Sequence, residues 1–240
     1  MFEGFSPRAE EFFMAIAFNN NTTFFHENHD WYDEAVRRPL KELAASLAPV
    51  IEEIDPNLER RPERVVSRIN RDVRFSKDKS PYRDYMWLSF RAPRETQSLS
   101  LCFYFEISAS GASCGMGVYD ENRPLMNGLR RRLIADPAPF LEIARPLDER
   151  FSLHANLFRR RKAPDDLPDE AKSWFLTRSF FYERPLDGAL IESPRLAEET
   201  GAEVLQLHSM QNVTAEEFSG GETYVSLMQK NLEALKEGLK

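Results

Sequence analysis

Near Tyr85 the chain changes its hydrophobic period, and that change constrains the fold more than any other feature. Met86, Leu88 and Phe90 alternate with Trp87, Ser89 and Arg91; Leu99, Leu101, Phe103, Phe105 and Ile107 alternate with Ser100, Cys102, Tyr104 and Glu106. A period of two with one apolar side predicts half-buried antiparallel strands over Tyr85 to Phe90 and Ser98 to Ser108. Turn-rich joints at Ala92 to Thr96 and Ser108 to Ala112 suit hairpins. Gly115 to Tyr119 supplies a further strand. Its glycines stand where backbone or ligand approaches closely, and they are candidates for the floor of a pocket.

Helical period flanks this region. Ser6-Pro7 followed by Glu10 and Glu11 marks a helix start, and Asn19-Asn20-Asn21 its stop. Further starts are expected at Thr22 or Thr23 and at Asp30. Leu40, Leu43, Leu47 and Ile54 keep the spacing of one long amphipathic helix from Pro39 to Ile54, with Pro49 expected to kink it or end it early. After Asn122 the helical period returns through Leu125, Leu129, Leu133 and Ile134, then from Pro137 to Ile143. Phe151 to Lys162 reads as strand and turn, and Ser179 to Tyr182 as a last strand. Helices over Pro194 to Met210 and Gly221 to Leu239 close the chain. The expected fold class is α+β: a single antiparallel central sheet packed by N-terminal and C-terminal helices. One domain would span 1–240, with a helical part at 1–57, a strand-rich core at about 65–120 and a helical part at 122–240.

Composition bounds the function classes. Hydrophobic content of 42% beside 30% charged residues is that of a globular chain with a real core, and 18 Phe point to a core of flat rings. No apolar run approaches the roughly twenty residues a bilayer span needs. The N-terminus carries Glu3 and no apolar stretch, so it does not read as a secretory signal, and a cytoplasmic location is expected. Cys102 and Cys114 are too few for a disulfide framework or a four-cysteine zinc site, and they read as structural thiols. The net charge of −7 argues against a general nucleic-acid binder. Charge is uneven, however. Glu59 to Arg83 holds nine Lys/Arg against four Asp/Glu, an excess of +5 that leaves −12 for the rest.

The densest part of that basic stretch runs Arg68, Arg71, Asp72, Arg74, Phe75, Asp78, Lys79, Tyr82, in the spacing RxxRDxRFxxDKxxY. This spacing resembles the hallmark of the bacterial proteins grouped as domain of unknown function 2461. Gly4-Phe5-Ser6, the Asn19-Asn20 pair, Trp31-Tyr32 with Pro39, Gly115 with Gly117, and Leu129-Arg130 are similar in order and spacing, over Phe5 to Phe140. The resemblance implies a family and no activity.

Read physically, the segment has the parts of an anion site. Asp72 between Arg71 and Arg74 is placed to orient guanidinium forks by charge-assisted hydrogen bonds, leaving spare donors for a phosphate or carboxylate. Lys79 adds a mobile charge and Tyr82 a hydroxyl, and Ser80-Pro81 sets a turn between them. Mutual hydrogen bonds and low exposure are expected for Arg68, Arg71 and Asp72. Arg130, in a run of three arginines that cannot share one helical face, is placed to point toward the cluster. The competing reading is an intramolecular ion-pair network that holds an irregular segment to the helices. The ligand-binding set is therefore Arg68, Arg71, Asp72, Arg74, Lys79, Tyr82 and Arg130, with a small anionic ligand as partner. The alternative is a structural or protein–protein interaction module. No cofactor and no metal are expected: His26 to Asp30 lacks zincin spacing and reads as a solvated helix cap. Arg159 to Lys162 reads as an exposed basic turn answered by the acids that follow it.

Overall fold

The structure is a computed structural model that describes residues 2–92, 101–202 and 204. Helix α1 (Arg8–Phe18) buries Phe12, Phe13 and Ile16 and ends at Asn19. Ser6 lends α1 its carbonyl, which accepts from the Ala9 N–H, and not its hydroxyl as a cap. Helix α2 (Thr22–Glu27) is capped by the Asn21 side chain, which accepts from the Phe24 N–H. Helix α3 (His29–Tyr32) passes through a π-helical turn (Asp33–Arg37) into α4 (Arg38–Ile54). The long helix expected from Pro39 to Ile54 is present as α4, and Pro49 does not end it early. The proline lies in its last two turns, where its missing N–H costs one backbone hydrogen bond. A short helix α5 (Pro62–Val65) precedes the basic segment.

Five strands form one antiparallel sheet in the order β1-β2-β3-β5-β4. Strands β1 (Tyr85–Phe90), β2 (Cys102–Ser108) and β3 (Gly111–Val118) make the meander that the alternation predicts. Residues 93–100, including the start of the predicted second strand, lie outside the described residues. The register pairs Phe90 with Phe103 and Leu88 with Phe105, and Phe105 in turn with Cys114. One face is therefore apolar throughout.

The C-terminal part interleaves helices with the two strands expected near Phe151 to Lys162 and Ser179 to Tyr182. Helices α6 (Arg123–Ala135) and α7 (Ala138–Arg150) cross over to the edge strand β4 (Ser152–Leu157). After α8 (Asp169–Leu176) the chain returns as β5 (Thr177–Pro185), which inserts between β3 and β4 and completes the sheet. Strand β5 supplies Phe180 and Tyr182 to the core, and an edge strand alone would leave the apolar side of β3 uncovered. A short α9 (Gly188–Ile191) follows, and a further helix begins at 195. The predicted helix over Gly221 to Leu239 lies outside the described residues.

Helices cover the apolar face with rings. Phe5 stacks on Phe105 (centroids 5.7 Å, planes 8° apart), and Trp174 meets Phe140 and Phe180 edge-on at 5.0 Å. The opposite face carries Trp87, Tyr104, Glu106, Phe181 and Glu183, all half-buried. Among the described residues no helix is long and apolar enough to cross a membrane. Phe105→Ala removes a fully buried ring at the centre of the sheet. It should cost about 3–5 kcal/mol, seen as a lower urea midpoint with an unchanged denaturant slope.

Candidate functional site

The segment from Arg68 to Tyr82 is an irregular hairpin laid along the free edge of β1. Val66 bridges Leu88 and Asn70 bridges Tyr82. The Ser67 N–H donates to the Trp87 carbonyl, the Arg71 N–H to Pro81 and the Arg83 N–H to Ile69, each at 2.8 Å. Tyr82 is a core residue: its ring stacks on Phe25 at 4.2 Å. The Asn20 side chain grips the Tyr82 backbone from both sides, donating to its carbonyl and accepting from its N–H, both at 2.9 Å.

The charges of the hairpin pair within it. Arg74 closes on Asp72 through Nε (2.9 Å) and Nη2 (2.6 Å), while Arg71 pairs with Asp78. Asp78 also accepts from the Ser80 N–H and hydroxyl at 2.9 and 2.6 Å, and Lys79 Nζ donates to the Val73 carbonyl at 2.9 Å. Hydrogen bonds from Arg74 and Arg71 respectively hold the Asp72 and Asp78 carboxyls below the usual carboxylate range. Asp72 thus serves Arg74 alone, not both neighbours. The two-residue spacing lets Asp72 also accept from the Arg74 N–H, so the pair forms within one turn, whereas the hairpin brings Asp78 to Arg71. Arg68, Asp72, Arg74 and Lys79 are exposed and Arg71 half-buried, so the expected shielded trio of Arg68, Arg71 and Asp72 does not form. Arg68 enters no ion pair among the described residues. Phe75 is 95% exposed, with the Arg74 guanidinium 5.8 Å from its centroid.

Arg130 is not part of this cluster. It is buried, and it donates to the Phe175 and Thr177 carbonyls and, at 2.9 Å, to Asn127 Oδ1. These partners belong to α6 and to the junction of α8 with β5, across the sheet from the edge of β1 that the hairpin follows.

A concavity of about 1290 Å³ lies on the open face of the sheet. Trp87, Tyr104 and Phe181 supply its rings, Glu106 and Glu183 its carboxylates, and Gly117 part of its floor. Strand pairing sets Tyr104, Gly115 and Glu183 in one row across β2, β3 and β5, and Cys102, Gly117 and Phe181 in the next. The glycines are required by contact. A Cβ on Gly115 would lie 1.9 Å from the Tyr182 carbonyl and 2.8 Å from Tyr104 Oη; one on Gly117 would lie 2.3 Å from the Phe180 carbonyl. Gly117 lines this concavity and Gly115 does not, and the walls are strand residues and the β3–α6 turn, not the arginine hairpin beside which the glycines were expected to floor a pocket.

This face is electrostatically acidic. Asp120 and Glu121 join Glu106 and Glu183 in the lining, against Arg91 and Arg123, and Arg123 is paired with Glu121 at 3.0 Å. Burial, aided by Glu183, raises the Glu106 carboxyl above its ordinary value. Burial and then Glu183 raise the Tyr104 phenol, so it stays protonated and donates to the Tyr182 carbonyl at 3.3 Å. Burial lifts the Cys102 thiol to about 11, which leaves it un-ionised and a poor nucleophile. His154 stacks on Phe181 at 4.6 Å and reaches Glu183 at 3.3 Å. Sequence reasoning passed over these residues because each reads as the polar half of an alternating strand. The available signal was large rings and acids at solvent-side positions that small polar residues would fill as well.

A family model described as "Conserved hypothetical protein (DUF2461)" matches residues 8–212, extending the likeness well beyond Phe140. No curated protein and no solved structure matches the chain.

Asn20→Ala strips both polar partners from the Tyr82 backbone and should cost about 1–3 kcal/mol in urea unfolding, with the hairpin the first region to exchange its amides. Glu106 binds its proton more tightly folded than unfolded. Its contribution to stability is therefore full below the ordinary carboxylate range and lost as pH rises through the raised value. Glu106→Gln should raise the melting temperature near pH 8 and leave it unchanged at about pH 4.

Proposed function

The chain belongs to the family of conserved hypothetical proteins described as domain of unknown function 2461, and from its own geometry we propose that it binds a small amine-bearing ring compound on the open face of its sheet. The observation that carries this reading is the union of aromatic rings and an excess of carboxylates in one concavity. Trp87, Tyr104 and Phe181 offer ring faces to a flat or cationic group, and Glu106 and Glu183 accept its hydrogen bonds. A phosphate would meet four acids there against two arginines. Rigid strands hold these side chains, so little order is lost on binding.

A second reading keeps the anionic ligand at Arg68 to Tyr82. Arg68 without an ion pair, beside the exposed Arg74 and Lys79, favours it. Against it, Arg71, Asp72, Arg74 and Lys79 already spend donors and acceptors on each other and on the backbone. The scaffold role accounts for all of these contacts without a ligand.

A thermal-shift screen separates the readings. Amine-bearing ring compounds should raise the melting temperature of the wild type, by about 2.7 kcal/mol of stabilisation at a hundredfold excess over Kd. The shift should vanish in the double variant Glu106→Gln, Glu183→Gln and persist in Arg74→Ala and Lys79→Ala. Shifts from phosphorylated metabolites that disappear in Arg74→Ala or Lys79→Ala would establish the anionic reading instead. An amine shift that survives the double glutamate variant would sink the sheet-face site.

A further inference from the structure

A second concavity, of about 620 Å³, opens at the outer end of the sheet where β4 runs into the turn before α8. Its charged lining is Arg159, Arg160 and Arg178, with Asn156 beside them and no acid among the lining residues. The acids that follow in sequence, Asp165 and Asp166, do not answer these charges. None of the three arginines enters an ion pair or hydrogen bond through its side chain among the described residues. This differs sharply from the Arg68 to Tyr82 hairpin, where each acid is matched to an arginine.

The surroundings deepen the positive field. Arg161 lies 4.7 Å and Arg130 5.2 Å from the ring centroid of Phe158, which fixes the turn that carries Arg159 and Arg160. The Phe158 N–H is anchored to the Leu176 carbonyl at 2.8 Å. Arg130 is 6% exposed, and its donors go to two carbonyls and an amide oxygen, so its buried charge is hydrogen-bonded to no carboxylate; burial and then Arg161 lower its pKa, opposed by Glu121. Asn156 is held by the hydrogen bond from its Nδ2 to Ser179 Oγ at 3.0 Å. Strand β4 is the edge of the sheet, so its outward N–H groups add backbone donors along one wall. Converging guanidinium groups repel one another, and an anion removes that cost while filling their forks.

We propose that this concavity is a binding site for a phosphorylated small molecule, its phosphate oxygens taken by Arg159, Arg160 and Arg178. The volume falls within the range of small-ligand pockets and exceeds what a lone phosphate fills. Arg130 acts as a positioning residue: its donors hold the α8–β5 junction beside the turn that carries the arginine forks. The site is independent of the sheet-face reading and shares none of its lining residues.

The test is calorimetric titration of the full chain with inorganic pyrophosphate at constant ionic strength, with chloride as control. Saturable binding is expected. Arg178→Gln and the double variant Arg159→Gln, Arg160→Gln should each weaken it at least roughly tenfold, the scale of a lost charge-assisted hydrogen bond. Because these side chains are exposed and unpaired, the variants should melt with the wild type in the absence of pyrophosphate. Arg68→Gln and Arg74→Gln should bind pyrophosphate as the wild type does. Absence of saturable binding overturns the proposal, as does affinity unchanged in the variants. Binding lost in Arg68→Gln or Arg74→Gln would move the anion to the hairpin and equally overturn it. Tight binding of a short single-stranded DNA without binding of pyrophosphate would replace the small molecule by a polynucleotide.

Discussion

The Asn20 side chain, bonded at once to the N–H and the carbonyl of Tyr82, is the contact on which the placement of the basic hairpin depends. It ties the end of α1 to a segment that has no regular secondary structure of its own. With Tyr82 fixed and its ring stacked on Phe25, the bridge to Asn70 follows, then the bonds that join Ser67 to Trp87. These set the hairpin against β1, and β1 carries Trp87 to the open face. Arg83 completes the closure: its guanidinium donates to the Arg68 and Asn70 carbonyls and lies 5.0 Å over the Trp87 ring. A hydrogen-bonded amide in the helical layer thus helps place a ring on the open face of the sheet.

The exposed ion pairs of the hairpin cannot do the same work. Arg74–Asp72 and Arg71–Asp78 are local and largely solvated, and solvent screening leaves such pairs little net effect on stability. Their effect is to use up charge: five basic side chains close together would repel, and two acids within the hairpin answer two of them. The pattern RxxRDxRFxxDKxxY therefore reads as a partly self-compensating loop whose buried member is its last residue, Tyr82.

The strands were legible where one face is buried. Met86, Leu88 and Phe90 turn inward as their spacing required, and so do Phe103, Phe105 and Ile107. Strand β4 falls within the stretch read as strand and turn, but with all six residues exposed no period marked its bounds or its place at the sheet edge; a strand pairing on one side of an edge need not bury any residue. The family pattern was legible as well, but the partner of each charge within it was not. Asp72 is adjacent in sequence to Arg71 yet bonds Arg74, and Asp78 finds Arg71 only because the chain folds back. Arg130 shows the same limit at longer range. It was expected to point toward the arginine cluster; it is buried instead against carbonyls 45 and 47 residues away in the chain. Composition could report the local excess of charge and not which charges the fold would leave unpaired.

That last distinction explains how one acidic chain holds two concavities of opposite sign. Strand β5 contributes to both. Phe181 and Glu183 face the acidic cavity, and the opposite parity goes to the core at Phe180 and Tyr182; a register shift opposite Asn156 and Leu157 breaks the alternation and leaves Arg178 exposed between buried Thr177 and Ser179. That break, with the crossover through α6 and α7, brings Arg178 to Arg159 and Arg160. His154 sits where the two environments approach, stacked on Phe181 and within 3.3 Å of Glu183, on the strand whose end opens the basic concavity. If the two proposed sites bind as argued, this separation would keep a cationic ligand off the arginines and an anionic one off the glutamates. Binding at both would then require no movement of the sheet, only the side-chain placement that the strands already impose.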